Sequence, residues 1–272
     1  MTSPDIPTRI ARVELRVSDV ATSTAFYARL VGLEVTSSNG ERAELKPPGM
    51  NGGGAPCLVL IKAENPGRAP MRAAGLFHTA FRFRDRAGLA AALKRCALEM
   101  QQPLTGASDH GVSEALYLDD PDGLGIELYR DRPQEQWPEP QGGERVHMFT
   151  APLELEDLIG ADDELPAELA SNGVDIGHVH LKVADVDAVS DFWTGTMGME
   201  LMTKFGTDAA FLGQDGYHHH VGANAWASRG APLEPQDGPG LERVAVFADP
   251  GVEPATTPDG IAIAVEPRRR DA

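Results

Sequence analysis

One pattern recurs along this chain, and it limits the fold more than any other feature. Val13-Glu-Leu-Arg-Val-Ser-Asp19 aligns with Val179-His-Leu-Lys-Val-Ala-Asp185. Seven residues after each Asp stands an aromatic pair, Phe26-Tyr27 and Phe192-Trp193, and thirteen residues after it a glycine, Gly32 or Gly198. The opening segment alternates β-branched and polar residues, as a half-buried strand does. The stretch after it suits an amphipathic helix capped by Asp and closed by Gly. His78-Thr-Ala-Phe-Arg-Phe-Arg-Asp85 starts a third copy, with an alanine-rich helix over Ala87 to Ala97 and strands near 103–107, 114–119 and 125–130. Glu242-Arg-Val-Ala-Val-Phe-Ala-Asp249 starts a fourth, which passes almost at once to Pro258-Asp-Gly260 and Ile261 to Val265, leaving no room for a full helix. The unit is therefore strand, helix and three strands, an α+β fold built from repeats.

By sequence the modules fall into an N-terminal domain, 1–133 (modules 8–63 and 76–131), and a C-terminal domain, 175–272 (modules 176–226 and 241–267, the last truncated). Between them, 134–174 reads as a linker rich in Pro, Gly and acidic residues, with a short helix near Leu153 to Ile159. A net charge of −17 disfavours nucleic acid as a partner. No run of 18 apolar residues and no basic-apolar leader is present, so a soluble, cytoplasmic protein with no membrane partner is expected. Cys57 and Cys96 suit reduced core thiols and form no zinc-binding Cys-x-x-Cys pair.

The segment His110 to Glu127 carries the chemistry. It runs His110, Tyr117, Asp120-Pro-Asp-Gly123 and Glu127. Pro and Gly mark a tight turn between two short strands. On the second strand Ile126 and Leu128 share one face and Glu127 points to the other. A carboxylate aimed inward from an apolar strand must be paired or bound to a metal.

The four units resemble the βαβββ modules of the vicinal oxygen chelate superfamily, which includes glyoxalase I, fosfomycin and bleomycin resistance proteins and type I extradiol dioxygenases. The 110–127 segment resembles the extradiol dioxygenase motif: His, a gap, an apolar residue and Tyr, two residues, Asp-Pro-x-Gly, then Glu. Ser108 departs from the residues usual at its place. The stretches 106–117 and Gly216-Tyr-His-His-His-Val-Gly222 are most similar to two-domain bacterial catechol 2,3-dioxygenases. The resemblance implies four βαβββ modules, the fourth shortened, paired into two half-barrels around a divalent metal.

It also implies ligand slots, one on each module's first strand, seven residues before the recurrent Asp, and one on its last strand. The first-strand slots hold Arg12, His78, His178 and Glu242. Counting five residues from each Asp-Gly gives Glu127, His220 and Ala264. Modules two and three thus hold the usable donors. His78, His178 and Glu127 make the two-histidine, one-carboxylate set suited to Fe(II), with Mn(II) as an alternative. His220 is an additional candidate, and His178, His220 and Glu242 form a competing triad. The commonest extradiol enzymes pair modules one with two and three with four, which would require a histidine where this chain has Arg12. The ligand distribution favours the arrangement of some hydroquinone-cleaving relatives, one with four and two with three.

His110 and Tyr117 carry over as groups that move a proton or bind a substrate oxygen; Ser113 and Trp226 are weaker substrate-pocket candidates. His180 reads as a strand histidine deeper than His178, and His218 and His219 as residues flanking a site entrance or binding nothing. The implied reaction is Fe(II)-dependent cleavage of a small aromatic diol beside its hydroxylated carbons, with O₂ as co-substrate. Two rivals stand beside it: a glyoxalase-type metal-dependent isomerase or transferase with four ligands, and a drug-sequestering protein without metal. The shortened fourth module leaves an edge that a second copy of the chain could cover.

Overall fold

The computed structural model describes residues 8–48, 55–161 and 173–268. Module one comprises β1 (Ile10–Val17), α1 (Val20–Val31), β2 (Glu34–Asn39), β3 (Arg42–Lys46) and β4 (Leu58–Lys62). Module two comprises β5 (Gly75–Phe83), α2 (Arg86–Lys94) with a π-helical continuation (Arg95–Met100), β6 (Gly106–Asp109), β7 (Ser113–Asp119) and β8 (Gly125–Asp131). The connector adds β9 (Ala151–Pro152) and α3 (Leu155–Gly160). Module three is β10 (Val174–Lys182), α4 (Val186–Gly195), β11 (Glu200–Phe205), β12 (Ala209–Gly213) and β13 (Val221–Asn224). Module four keeps only β14 (Gly240–Ala248), β15 (Ala255–Thr256) and β16 (Ala262–Pro267).

The recurrent Asp is a helix N-cap. Asp19 accepts the Thr22 N–H at 2.7 Å, Asp85 the Gly88 N–H at 2.8 Å and Asp185 the Ala188 N–H at 3.0 Å. Each satisfies a backbone donor that the first helical turn leaves open. Gly32 closes α1 in the left-handed region, at φ 84°. The second member of each aromatic pair, Tyr27 or Trp193, is fully buried. In module four no helix follows, and Asp249 pairs instead with Arg268 at 2.8 Å.

Two curled sheets result. One runs β15-β16-β14-β1-β4-β3-β2; the other runs β11-β12-β13-β10-β5-β8-β7-β6-β9. Within each module the first strand lies parallel to the last, as in β1 with β4 and β5 with β8. Between modules the first strands join antiparallel, β1 to β14 and β5 to β10. Module one therefore pairs with four and two with three, the arrangement that the ligand slots favoured. Each sheet draws on both sides of the connector, so the sequence division at 133 and 175 cuts across both half-barrels. The connector also covers the larger sheet. β9 extends its edge beside β6, and Val146 and Met148 pack with Val112, Met202 and Phe211. No helix among the described residues is long and apolar enough to cross a membrane.

Where the two sheets meet, Glu234 is buried between a pseudo-symmetric pair of cations. Arg16 lies opposite Gly240 across β1 and β14, and Lys182 opposite Gly75 across β10 and β5. A Cβ at either glycine would overlap the Glu234 carboxylate. Its Oε1 accepts the Leu241 N–H at 2.5 Å and lies 3.8 Å from Arg16. Burial still dominates, pushing the Glu234 carboxyl up to about 7 against the pull of Leu241, Lys182 and Arg16. Between pH 4.5 and about 7 the folded chain keeps a proton that the unfolded chain has released. Stability from this group is therefore highest at low pH, falls as pH rises through that window, and is level above it. The expected loss is about 3 kcal/mol. Glu234→Gln should remove that slope and be the more stable form at pH 8, as denaturant titrations at pH 5 and pH 8 would show.

Candidate metal centre

The turn that delivers Glu127 is held by its own first residue. Asp120 Oδ1 accepts the N–H groups of Asp122 and Leu124, both at 2.9 Å, and Gly123 takes φ 84°. The other oxygen, Oδ2, accepts the Tyr27 hydroxyl at 3.0 Å, tying the turn to the helix of module one. β8 starts at Gly125, opposite His78, where a Cβ would collide with the Phe77 carbonyl. Only glycine lets the two strands pair this closely at that point.

Register then gathers the donors. Ala80 of β5 sits opposite Glu127 of β8 on one side and His178 of β10 on the other. His78, two residues before Ala80, shares its face. His78 Nε2 lies 2.8 Å and His178 Nε2 3.1 Å from the same Glu127 oxygen, Oε2. The two ring nitrogens are 3.4 Å apart. All three side chains are buried. Burial opposes ionisation of Glu127, but the two imidazoles outweigh it and hold the carboxyl well below its usual range. Burial, against the pull of Glu127, lowers His178 to about 4, so its imidazole is neutral at pH 7 with a lone pair to donate.

Two imidazole nitrogens and one carboxylate oxygen converging in a buried site suit a divalent cation, and this donor set leaves further coordination positions open for small molecules. The chemistry of the residues thus fits the iron that the sequence implies. His220 and Glu242 stand elsewhere. The His220 ring packs on Tyr217, its Nδ1 accepts the Gln214 N–H at 3.3 Å, and it is outside the three-donor group. Glu242 is on β14 in the other sheet, paired with Arg16 at 2.8 Å. Arg12, also in that sheet, is bound by Glu14 and Glu266. The competing triad of His178, His220 and Glu242 is therefore not assembled.

A cavity of about 540 Å³ opens in front of the group, lined by His78 and Glu127. His110, Ser113, Tyr117 and Trp226 line it as well, Ser113 buried and Trp226 at the exposed rim. His110 and Tyr117 form a directed pair. The Phe149 carbonyl, 2.8 Å from His110 Nδ1, only accepts, so Nδ1 carries the proton in the neutral ring. Nε2 then accepts the Tyr117 hydroxyl, also at 2.8 Å. Tyr117 is opposite Glu127 across β7 and β8, and burial followed by that carboxylate raises its phenol well above the usual value.

From sequence, His219 is placed at a site entrance or in no site, and is given no chemical role. It lines the cavity, and its ring lies 4.1 Å from that of His178, centre to centre. Behind it His218 Nδ1 meets His219 Nδ1 at 2.8 Å, and His218 Nε2 donates to Asp131 at 2.7 Å. With Asp131 accepting from His218 Nε2, this chain puts the His219 proton on Nδ1 and leaves Nε2 as the acceptor. Burial, then the neighbouring His178, lowers the His219 imidazole well below its usual value.

The profile of the glyoxalase/bleomycin resistance protein/dioxygenase superfamily matches residues 9–128. A protein of Bacillus subtilis (strain 168) named catechol-2,3-dioxygenase is 38% identical over 247 residues, covering 89% of this chain and 83% of its own. The chain belongs to this superfamily. Glyoxalase I from Zea mays shares the fold at TM-score 0.52, with 16% identity and coverage of 94% of this chain and 91% of its own. A Bacillus subtilis subsp. subtilis str. 168 structure, solved as a dioxygenase candidate, shares it at TM-score 0.57, with 15% identity and coverage of 89% and 70%. The relationship supports a dioxygenase-like enzyme that uses a metal and a small aromatic molecule.

Proposed function

We propose that this chain is an Fe(II)-dependent extradiol dioxygenase that opens a catechol-like ring, inserts both atoms of O₂ and works in the cytoplasm. The observation that carries this reading is the buried His78, Glu127 and His178 group, set at the floor of an apolar cavity between two oriented histidines. These three residues would hold the iron. When bound, the ion supplies Lewis acidity toward the two diol oxygens and a place for O₂.

The protein's own groups account for the rest. His219 Nε2 accepts a proton as the diol enters, oriented by His218 and Asp131. Tyr117 donates its hydroxyl to His110 and lies against Glu127, so it directs a substrate oxygen toward the carboxylate side of the group. His110 Nε2 takes a proton through the Tyr117 hydroxyl and hands the same proton back during ring opening. The apolar wall excludes water, and fixed positions for ring and O₂ make their reaction intramolecular. A glyoxalase-type reading calls for a fourth ligand, and His220 is outside the group.

Reconstitution under argon tests the reading. About one Fe(II) per chain is expected, followed by O₂ uptake and a yellow ring-opened product when a catechol and air are admitted. Tight zinc with no O₂ uptake would favour the isomerase reading, and absence of any bound metal the drug-binding one.

A further inference from the structure

The cavity is much larger than the reaction needs. Its 540 Å³ falls within the range in which pockets bury drug-sized ligands. Catechol itself, one ring and two oxygens, fills a small part of that. Its lining combines polar groups, among them Thr105, Ser108, His110, Ser113 and Thr150, with a set of aromatic rings.

Those rings form a continuous sleeve from the donor group out to the exposed Trp226. The His78 ring lies 5.0 Å from that of His180, which in turn lies 5.1 Å from Phe77, 5.6 Å from Phe211 and 5.8 Å from Trp226. Phe77 meets Trp226 at 5.5 Å and Phe211 meets Phe205 at 5.2 Å. Phe77, Phe205 and Trp226 are 38%, 39% and 55% exposed. Large rings contributed by three separate strands and a loop, left open around one cavity, mark a binding surface. Among the described residues the lining holds two carboxylates, Asp119 and Glu127, and neither a lysine nor an arginine. A carboxylate on the substrate would lose its water there and gain no counter-charge. The cations nearby already face carboxylates: Arg68 lies 4.0 Å from Asp119, and Arg229, in an open depression beyond Trp226, is paired with Asp208 at 2.6 Å.

We propose that the substrate is an uncharged diol carrying an apolar substituent of at least a second ring's size, seated among Phe77, Phe205, Phe211 and Trp226. This rests on the dioxygenase reading for the diol itself, while the preference among diols rests on the sleeve. Binding should be measured under argon on the Fe(II) protein, by calorimetry and tryptophan fluorescence. The probes are catechol, phenylcatechol and carboxymethylcatechol. Phenylcatechol is expected to bind at least about tenfold tighter than catechol, from burial of the added ring. Carboxymethylcatechol should be the weakest of the three. Trp226→Ala, at an exposed position that does not threaten folding, should shrink the phenylcatechol-to-catechol ratio several-fold. Equal binding of catechol and phenylcatechol, or best binding of the carboxylate, would overturn the proposal. Tight phenylcatechol binding without O₂ uptake on admitting air would uphold the sleeve and refute the dioxygenase reading. O₂ uptake with no preference among the diols would do the reverse.

Discussion

Glu127→Ala is expected to strip the protein of iron and to lower O₂-consuming turnover by more than about 100-fold. Loss of an outer partner of a metal ligand commonly costs about 10- to 100-fold. Glu127 is the sole anion of the donor group, and one of its oxygens meets both imidazoles, at 2.8 and 3.1 Å. Its removal leaves two neutral nitrogens with no charge to offset a divalent ion. His78→Ala and His178→Ala should behave alike. Glu242→Gln, in the other sheet, should keep its iron. Metal analysis beside an oxygen electrode decides this. Iron retained by the Glu127 variant and lost from the Glu242 variant would move the centre elsewhere.

His219→Ala is expected to lower kcat by about 10²- to 10⁴-fold, the usual worth of a positioned acid or base. Its metal content should stay unchanged, because His219, although its ring packs at a tilt against His178, is outside the donor group. Steady-state kinetics with iron analysis on the same preparation tests it. An unchanged kcat would leave the His218–Asp131 chain as a purely structural network.

The contrast between His219 and His220 shows where a sequence is readable and where it is not. The first-strand slots could be read because they are local. Each is at a fixed distance from the recurrent Asp, which in modules one to three caps the next helix, at Asp19, Asp85 and Asp185. Glu127 was legible for the same reason, since Asp120-Pro-Asp-Gly is a turn of defined geometry. Counting the same five residues from Asp215 led to His220. The loop there differs, with Asp215 itself at φ 57° and three histidines before β13 begins. The residue that reaches the cavity is His219, one place earlier. Module pairing was legible only through the ligands. Strand-to-strand contact between β5 and β10 joins residues about a hundred positions apart, and no local pattern encodes it. The aromatic sleeve was hidden in the same way. Phe77 comes from module two and Phe211 and Trp226 from module three, and only the curled sheet brings their rings together.

Isotope labelling bears on the proposed activity most directly. The Fe(II)-loaded protein would be given phenylcatechol and ¹⁸O₂ in unlabelled water, and the product analysed promptly by mass spectrometry. Both labelled atoms should appear in a single ring-opened product, at one O₂ consumed per diol. Oxidation to a quinone without incorporated label, or a single label with the ring intact, would contradict extradiol cleavage.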